Sequence, residues 1–259
     1  MKPFFKNTEK PMLFGHRGYS SIAPENTLSA FAMCVERGIP GVELDVHLCK
    51  TGELVVVHDS NLKRVSGQDV IVEELTFQEL RKIDVGSHKG SAYEGEQIPL
   101  LSELFRTCSD KLYYDIELKA SDIKNHGLEQ KTWETICAFD LEKNCMISSF
   151  NPISLRRFNT LTHFALPTAV IYSDGEGVPR IFRHGWGRHI ARCNYLKPDK
   201  AQVTNQTMEK FHTKKGYPIC SWTVNSKEDA KTLLDMGVEG IISNNPGDFL
   251  DLVRTYTKH

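Results

Sequence analysis

The sequence predicts an α/β chain folded as a TIM-type (β/α)8 barrel, with an extra β-hairpin strand and a small inserted lobe after strand two. Three observations predict it. Short β-rich runs alternate with segments of helical period along most of the chain, which implies a parallel sheet. Eight such runs fit a closed parallel barrel, and 259 residues is close to the roughly 250 that this fold needs. One further run, Glu53–His58, follows strand two too closely for a parallel crossover, so it reads as an antiparallel hairpin partner.

The eight barrel strands are expected at Met12–Phe14, Gly41–Val46, Leu112–Leu118, Cys145–Ser149, Thr168–Tyr172, Asn194–Lys197, Pro218–Val224 and Gly240–Ser243. Between the first two, Leu28, Phe31, Ala32 and Val35 follow the i, i+3, i+4, i+7 spacing of one helix face. Ser226 and Asp229 form a start signal for a later helix carrying Ala230, Leu233 and Leu234. The hairpin turn falls near Thr51-Gly52, which places His58 opposite Leu44 and so close to Glu43 and Asp45. Residues 60–100 are too long for a simple βα link. Thr76 and Glu79 make a capping box before Leu80 and Ile83, and a Gly-rich polar stretch follows. The segment reads as an ordered lobe at the rim where His58 sits, replaceable by a linker without unfolding the barrel. Residues 1–259 read as one domain.

Composition is ordinary for a globular chain, 40% hydrophobic and 25% charged, with a formal net charge of -1. No global basic field would draw it onto nucleic acid. No run reaches the roughly 18 apolar residues of a membrane span, and MKPFFKNTEKP has no apolar stretch of leader length. No stable membrane association is therefore expected. The seven cysteines are scattered without C-x-x-C spacing, which argues against a disulfide framework or zinc ribbon and for reduced thiols in the cytoplasm. Homo-oligomerisation stays open.

The chemistry lies in two strands. In Val42-Glu43-Leu44-Asp45-Val46, Glu43 and Asp45 share one face and the aliphatic residues the other. Asp115, Glu117 and Lys119 likewise share a face of the next strand. Since the outer face of a barrel strand packs on helices, these charges point inward, where an unpaired charge costs several kcal/mol in order of magnitude. A salt-bridge network of Lys119 with Asp115 accounts for part of this. Glu43, Asp45 and Glu117 bring more negative charge than one lysine offsets, and they fit a hard divalent cation, Mg²⁺ or Ca²⁺. Strand one ends in Phe14-Gly15-His16-Arg17-Gly18, at the end of a barrel strand where catalytic residues sit. With His58 at the same mouth, two imidazoles and a fixed cation are the parts needed to cleave a phosphodiester. His184 and His189 match no metal spacing and read as surface residues.

His16-Arg17-Gly18, Pro24-Glu25-Asn26-Thr27, Glu43-Leu44-Asp45, His58-Asp59 and Glu117-Leu118-Lys119, in this order, resemble the glycerophosphodiester phosphodiesterase family. Trp222-Thr223-Val224-Asn225 and Gly240-Ile241-Ile242-Ser243 resemble its closing strands, so the likeness runs from residue 13 to about 250. It implies one divalent cation on Glu43, Asp45 and Glu117, with His16 and His58 as the acid–base pair. It implies Arg17 and Lys119 on the phosphate, Trp222 against the glycerol part, and Asn26 in the site or at a helix N-cap. Glu25 would orient Arg17. The expected partner is a small phosphodiester, cleaved to glycerol 3-phosphate and an alcohol. A lysophospholipase D or sphingomyelinase-D-like activity on the same scaffold is the alternative. Two segments depart from the family pattern: Ser243-Asn244-Asn245-Pro246, where relatives often carry an Asp before the proline, and the polar stretch Arg192–Tyr195.

Overall fold

The computed structural model describes residues 11–256; the readings of the first ten and last three residues lie outside these. Nine strands form one sheet: β1 (Met12–His16), β2 (Gly41–Leu48), β3 (Leu54–Val56), β4 (Tyr113–Leu118), β5 (Cys145–Ser149), β6 (Thr168–Tyr172), β7 (Tyr195–Pro198), β8 (Cys220–Ser221) and β9 (Gly240–Ser243). Eight are parallel neighbours in the order β7-β6-β5-β4-β2-β1-β9-β8. The bridges Leu196–Ile219 and Asp199–Trp222 then join β7 to the β8 segment and bring the two ends together as a barrel. Strand β8 is shorter than the apolar run around it because Ile219 and Trp222 make only these single bridges.

Strand β3 is the antiparallel ninth strand, paired with β2 as Val46↔Val56 and Leu48↔Leu54. That register extrapolates to Leu44 opposite His58. The backbone follows it past the strand end, where Val57 N–H donates to Asp45 O at 3.1 Å. His58 is thereby tied to the carboxylate-bearing part of β2 by main-chain geometry.

The barrel wall has two distinct faces. Val42, Leu44 and Val46 of β2 and Tyr114, Ile116 and Leu118 of β4 turn outward into one apolar cluster with Phe31 and Phe105 from the surrounding helices. The helix Leu28–Glu36 buries Ala30, Phe31 and Cys34 there, and its N-cap is Thr27, whose side chain accepts from Ala30 N–H. Asn26 is therefore one residue too early to cap it, which corrects that reading. Inside, Met12, Phe14, Met146, Ala169, Tyr195, Cys220 and Ile242 form an apolar plug. Gly41 makes room for it: a Cβ there would meet the Phe14 ring at 2.6 Å. Strands β2 and β4 carry Glu43, Asp45, Asp115 and Glu117 beyond the level of Gly41 and Tyr113, so the plug closes the bottom and polar groups fill the top.

Between β3 and β4 the chain builds a second, smaller core. Leu62, Val65, Val72, Leu80, Ile83, Val85 and Ile98 cluster with Val55 and Val57 of the hairpin. The Thr76–Glu79 capping box closes a single helical turn, Phe77–Leu80, shorter than the pattern through Ile83, which packs in the lobe core instead. Polar ties join the lobe to the barrel: Glu73 with His47 at 2.7 Å and Ser29 Oγ–H donating to Glu96 at 2.8 Å. Replacing Lys63–Gln97 by a linker would uncover Val55 and Val57, a shared core that the expectation of a dispensable lobe does not count. Leu80→Ala should lower the unfolding free energy by about 2–5 kcal/mol, the usual loss for a buried Leu truncated to Ala. Urea denaturation measures it, and a change below about 0.5 kcal/mol, the range of surface substitutions, would mean that the lobe is not packed as described.

Candidate active site

The parallel register of β2 and β4 sets Glu43 beside Asp115 and Asp45 beside Glu117. Four carboxylates thus enter the barrel from two adjacent strands, each less than a tenth exposed. The ligand atoms of Glu43, Asp45 and Glu117 lie within 4.8 Å of one another.

Three cations answer them. Lys119 Nζ lies 2.9 Å from Glu117 and 3.4 Å from Asp45. Arg17 Nε is 3.6 Å from Asp45. The third is Lys197 on β7, whose ammonium sits 2.7 Å from Asp115, 3.7 Å from Glu43 and 3.1 Å from Ser148 Oγ. The partner of Asp115 is therefore Lys197 and not Lys119, a correction to the sequence-based pairing. Burial opposes ionisation of Asp45, yet Lys119 and Arg17 hold its carboxyl below the usual range. Glu43 goes the other way: burial, with its three carboxylate neighbours adding to it and Lys197 only partly offsetting it, pushes its carboxyl up. Asp45 Oδ1 is buried and accepts no hydrogen bond among the described residues. That oxygen has only the Lys119 ammonium at 3.4 Å, and an under-compensated carboxylate cluster of this kind is a donor set that a hard cation satisfies.

The histidines come from β1 and from just after β3, strands that flank the same edge of β2 and run in opposite directions. His16 is the last residue of β1, and its Nδ1 lies 2.6 Å from Asn244 Oδ1. A carbonyl oxygen accepts, so Nδ1 carries the proton and Nε2, 3.8 Å from Glu43, keeps the lone pair. Burial, then the adjacent Arg17, lowers the His16 pKa to about 4. His58 Nδ1–H donates to Asp59 at 2.7 Å. Behind it, Asp59 accepts from Arg64, Arg64 donates to Glu25, and Glu25 accepts from Arg17 at 2.8 Å. These partners, Arg64 foremost, override burial and bring the Glu25 pKa down to about 2, so a fixed carboxylate orients Arg17. Arg17 itself has φ 56, the left-handed region in which a non-glycine residue is held only by its surroundings.

His16, Arg17, Glu43, His58, Glu117 and Trp222 line one cavity of about 130 Å³, together with Lys197, Phe150, Ile171 and Ile242. Trp222 stands with its ring edge-to-face on Phe150, centroids 5.6 Å apart, and Nε1–H donates to Lys197 O. Two expected site residues lie beneath the cavity. Asp45 is one, and Asn26 is the other, its amide donating to Asp45 Oδ2 at 2.9 Å. Lys119 lines an adjoining groove of about 430 Å³ that shares His58, Glu117 and Phe150 with the cavity.

Sequence reasoning passed over Lys197, His47 and Asn244. Lys197 ends a strand candidate, but the polar run before it hid its inward position. His47 continues the Glu43, Asp45 alternation by one more step, and that periodicity was the available signal. It is buried between Glu73 and the His58 carbonyl oxygen, 2.7 and 3.2 Å away.

A parallel barrel with an acidic, cation-competent centre, one histidine at the C-terminal end of β1 and a second brought beside β2 by the antiparallel β3, defines a class of TIM-barrel hydrolases. Within that class, the chain belongs to the glycerophosphoryl diester phosphodiesterase family, whose model matches residues 16–248. It is 34% identical over 247 residues to a glycerophosphodiester phosphodiesterase of Caldanaerobacter subterraneus subsp. tengcongensis, covering 95% of this chain and 98% of the relative. A putative glycerophosphodiester phosphodiesterase of Bacillus subtilis is also 34% identical, over 92% of this chain and 96% of its own. Among solved structures, an Oleispira antarctica phosphodiesterase in complex with the product sn-glycerol-3-phosphate superposes with a TM-score of 0.84 at 26% identity, covering 95% of this chain and 98% of that one.

Lys197→Met should destabilise the protein by about 3–5 kcal/mol, because Asp115 and Glu43 would stay buried without their ammonium. Adding Asp115→Asn should recover part of the loss. Equal stability of wild type and the single variant in urea denaturation would remove Lys197 from the charge balance.

Proposed function

We propose that this chain hydrolyses glycerophosphodiesters to glycerol 3-phosphate and an alcohol, with one divalent cation, Mg²⁺ or Ca²⁺, and with His16 and His58 as the acid–base pair. The observation that carries this reading is the convergence of His16, Arg17, Glu43, His58 and Glu117 on one small cavity, in a chain whose relatives are named for this activity. Glu43, Asp45 and Glu117 would hold the cation, which when bound supplies positive charge and Lewis acidity to a phosphate oxygen.

The chain's own residues carry the remaining steps. Arg17 and Lys119 face the phosphate from two sides and offset its charge. Asn26 acts through Asp45, whose carboxylate it orients. His16 stays neutral, anchored through Nδ1, so its Nε2 is the group suited to take a proton as the nucleophile's oxygen bonds to phosphorus; that nucleophile is water, or the glycerol hydroxyl, whose cyclic phosphate water then opens. His58, held against the Asp59 carboxylate, is suited to pass a proton to the oxygen of the departing alcohol as its bond to phosphorus breaks. Trp222, braced on Phe150, shields the glycerol part. With seven free cysteines among the described residues, and no described helix long and apolar enough to cross a membrane, the protein is suited to work in the cytoplasm.

Incubation with a panel of glycerophosphodiesters and release of glycerol 3-phosphate test the activity. Turnover should vanish in chelator and return with Mg²⁺ or Ca²⁺; full turnover in excess EDTA would rule out the cation. His16→Ala and His58→Ala should each lower kcat at least ~10²-fold. A diester with an acidic alcohol, such as p-nitrophenol, should restore most of the rate to His58→Ala and little to His16→Ala. Equal rescue of both would overturn the division of roles.

A further inference from the structure

On the outer wall of the barrel, between the segment after β6 and the one before β8, basic and aromatic side chains gather away from the active site. Phe211 is the hub. Arg188 lies 4.9 Å from its ring centroid, Lys210 also 4.9 Å and Lys215 5.9 Å. Arg188 also reaches the Trp186 ring, at 5.9 Å, and Trp186 stands 5.8 Å from the His189 ring. Arg188 first, then slight desolvation and Lys215, push the His189 pKa down, so the field of both cations reaches the His189 ring.

Two features of this cluster are unusual. Three cations share one ring, and among the described residues none of them pairs with a carboxylate; Arg188 is buried and donates to Gly185 O at 2.8 Å, while Lys210 and Lys215 are exposed. By contrast Lys214, in the same segment, has Glu209 at 3.4 Å. Like charges gathered in this way repel, and an external anion would relieve the repulsion. The second feature is exposed apolar area beside the charge. Trp186 is 60% and Ile190 42% exposed; single exposed apolar side chains are ordinary, and what matters here is that these two adjoin the unpaired cations. The whole chain has a net charge of -1, so the excess of positive charge here is local.

We propose that this face, built on the exposed side chains of Trp186, Ile190, Lys210 and Lys215, docks the protein reversibly on an anionic lipid surface. Exposed lysines next to exposed aromatic and aliphatic groups match both layers of such a surface, phosphate outside and hydrocarbon within. An indole with an apolar body and a polar N–H suits the boundary between them. A polyanion such as RNA would satisfy the charges but would leave Ile190 without a use. Docking of this kind needs no spanning helix, and no described helix could span.

Sedimentation with vesicles of phosphatidylcholine alone, or with about a third phosphatidylglycerol, tests the proposal, read together with tryptophan emission. The full chain should partition at least about tenfold more onto the anionic vesicles, with a blue shift that disappears in Trp186→Phe. Half-molar salt should release it. The double variant Lys210→Glu, Lys215→Glu should lose binding by roughly tenfold or more. None of these residues touches the catalytic cavity, so hydrolysis of a soluble diester should be unchanged in each variant, and that also reports correct folding. No binding to anionic vesicles would overturn the proposal. So would equal binding to both vesicle types, or binding without any change in Trp186 emission, or displacement by an RNA oligonucleotide that binds the chain as tightly.

Discussion

Four carboxylates, Glu43, Asp45, Asp115 and Glu117, enter the barrel from two neighbouring strands, and the polar interior is arranged around the cost of burying them. An isolated buried carboxylate is unfavourable by several kcal/mol in order of magnitude. The barrel meets that cost from three directions: Lys197 from β7, Lys119 from the end of β4 and Arg17 from the turn after β1. Each cation comes from a different element, so the charge balance exists only in the closed barrel. Asp45 ends well compensated and Glu43 does not, its carboxyl pushed up by burial and by its carboxylate neighbours. The imbalance sits at the cavity that His16 and His58 share, where added positive charge would lower the energy of the whole cluster.

The outer parts follow from the same constraint. Arg17 can point at Asp45 because Glu25 grips it, and Glu25 is in turn held by Arg64 of the lobe. His58 is set by the antiparallel pairing of β3 with β2 and then by Asp59, which Arg64 also binds. His47, one alternation beyond Asp45, ties the His58 carbonyl to Glu73 of the lobe. The lobe is thus a bracket for both histidine-bearing and arginine-bearing segments, with its own apolar core welded to Val55 and Val57.

The features legible in the sequence were those governed by short-range periodicity. Alternation along β2 and β4 assigned Glu43, Asp45 and Glu117 to one inner face, and turn spacing put His58 opposite Leu44. Long-range pairing was harder to read. Nothing local marks Lys197 as the partner of Asp115, because the two meet only after β4, β5, β6 and β7 have curled round the axis. Asn26 illustrates a different limit: Asn before an apolar helix pattern reads equally as a cap, and only the fold shows that Thr27 caps while Asn26 reaches Asp45. The lobe was visible as an excess of chain, but its shared core with the hairpin depends on which faces of Val55 and Val57 remain uncovered by the barrel helices.

The central claim is that Glu43, Asp45 and Glu117 form a site that lacks positive charge and takes it from a divalent cation. Unfolding free energy measured after chelation, and again across a titration of Mg²⁺ or Ca²⁺, tests this without reference to turnover. The account predicts a saturable rise in stability, about 2.7 kcal/mol at a cation concentration a hundredfold above Kd, that is lost in Asp45→Asn. Stability unchanged up to millimolar cation, or a rise of equal size in Asp45→Asn, would contradict it.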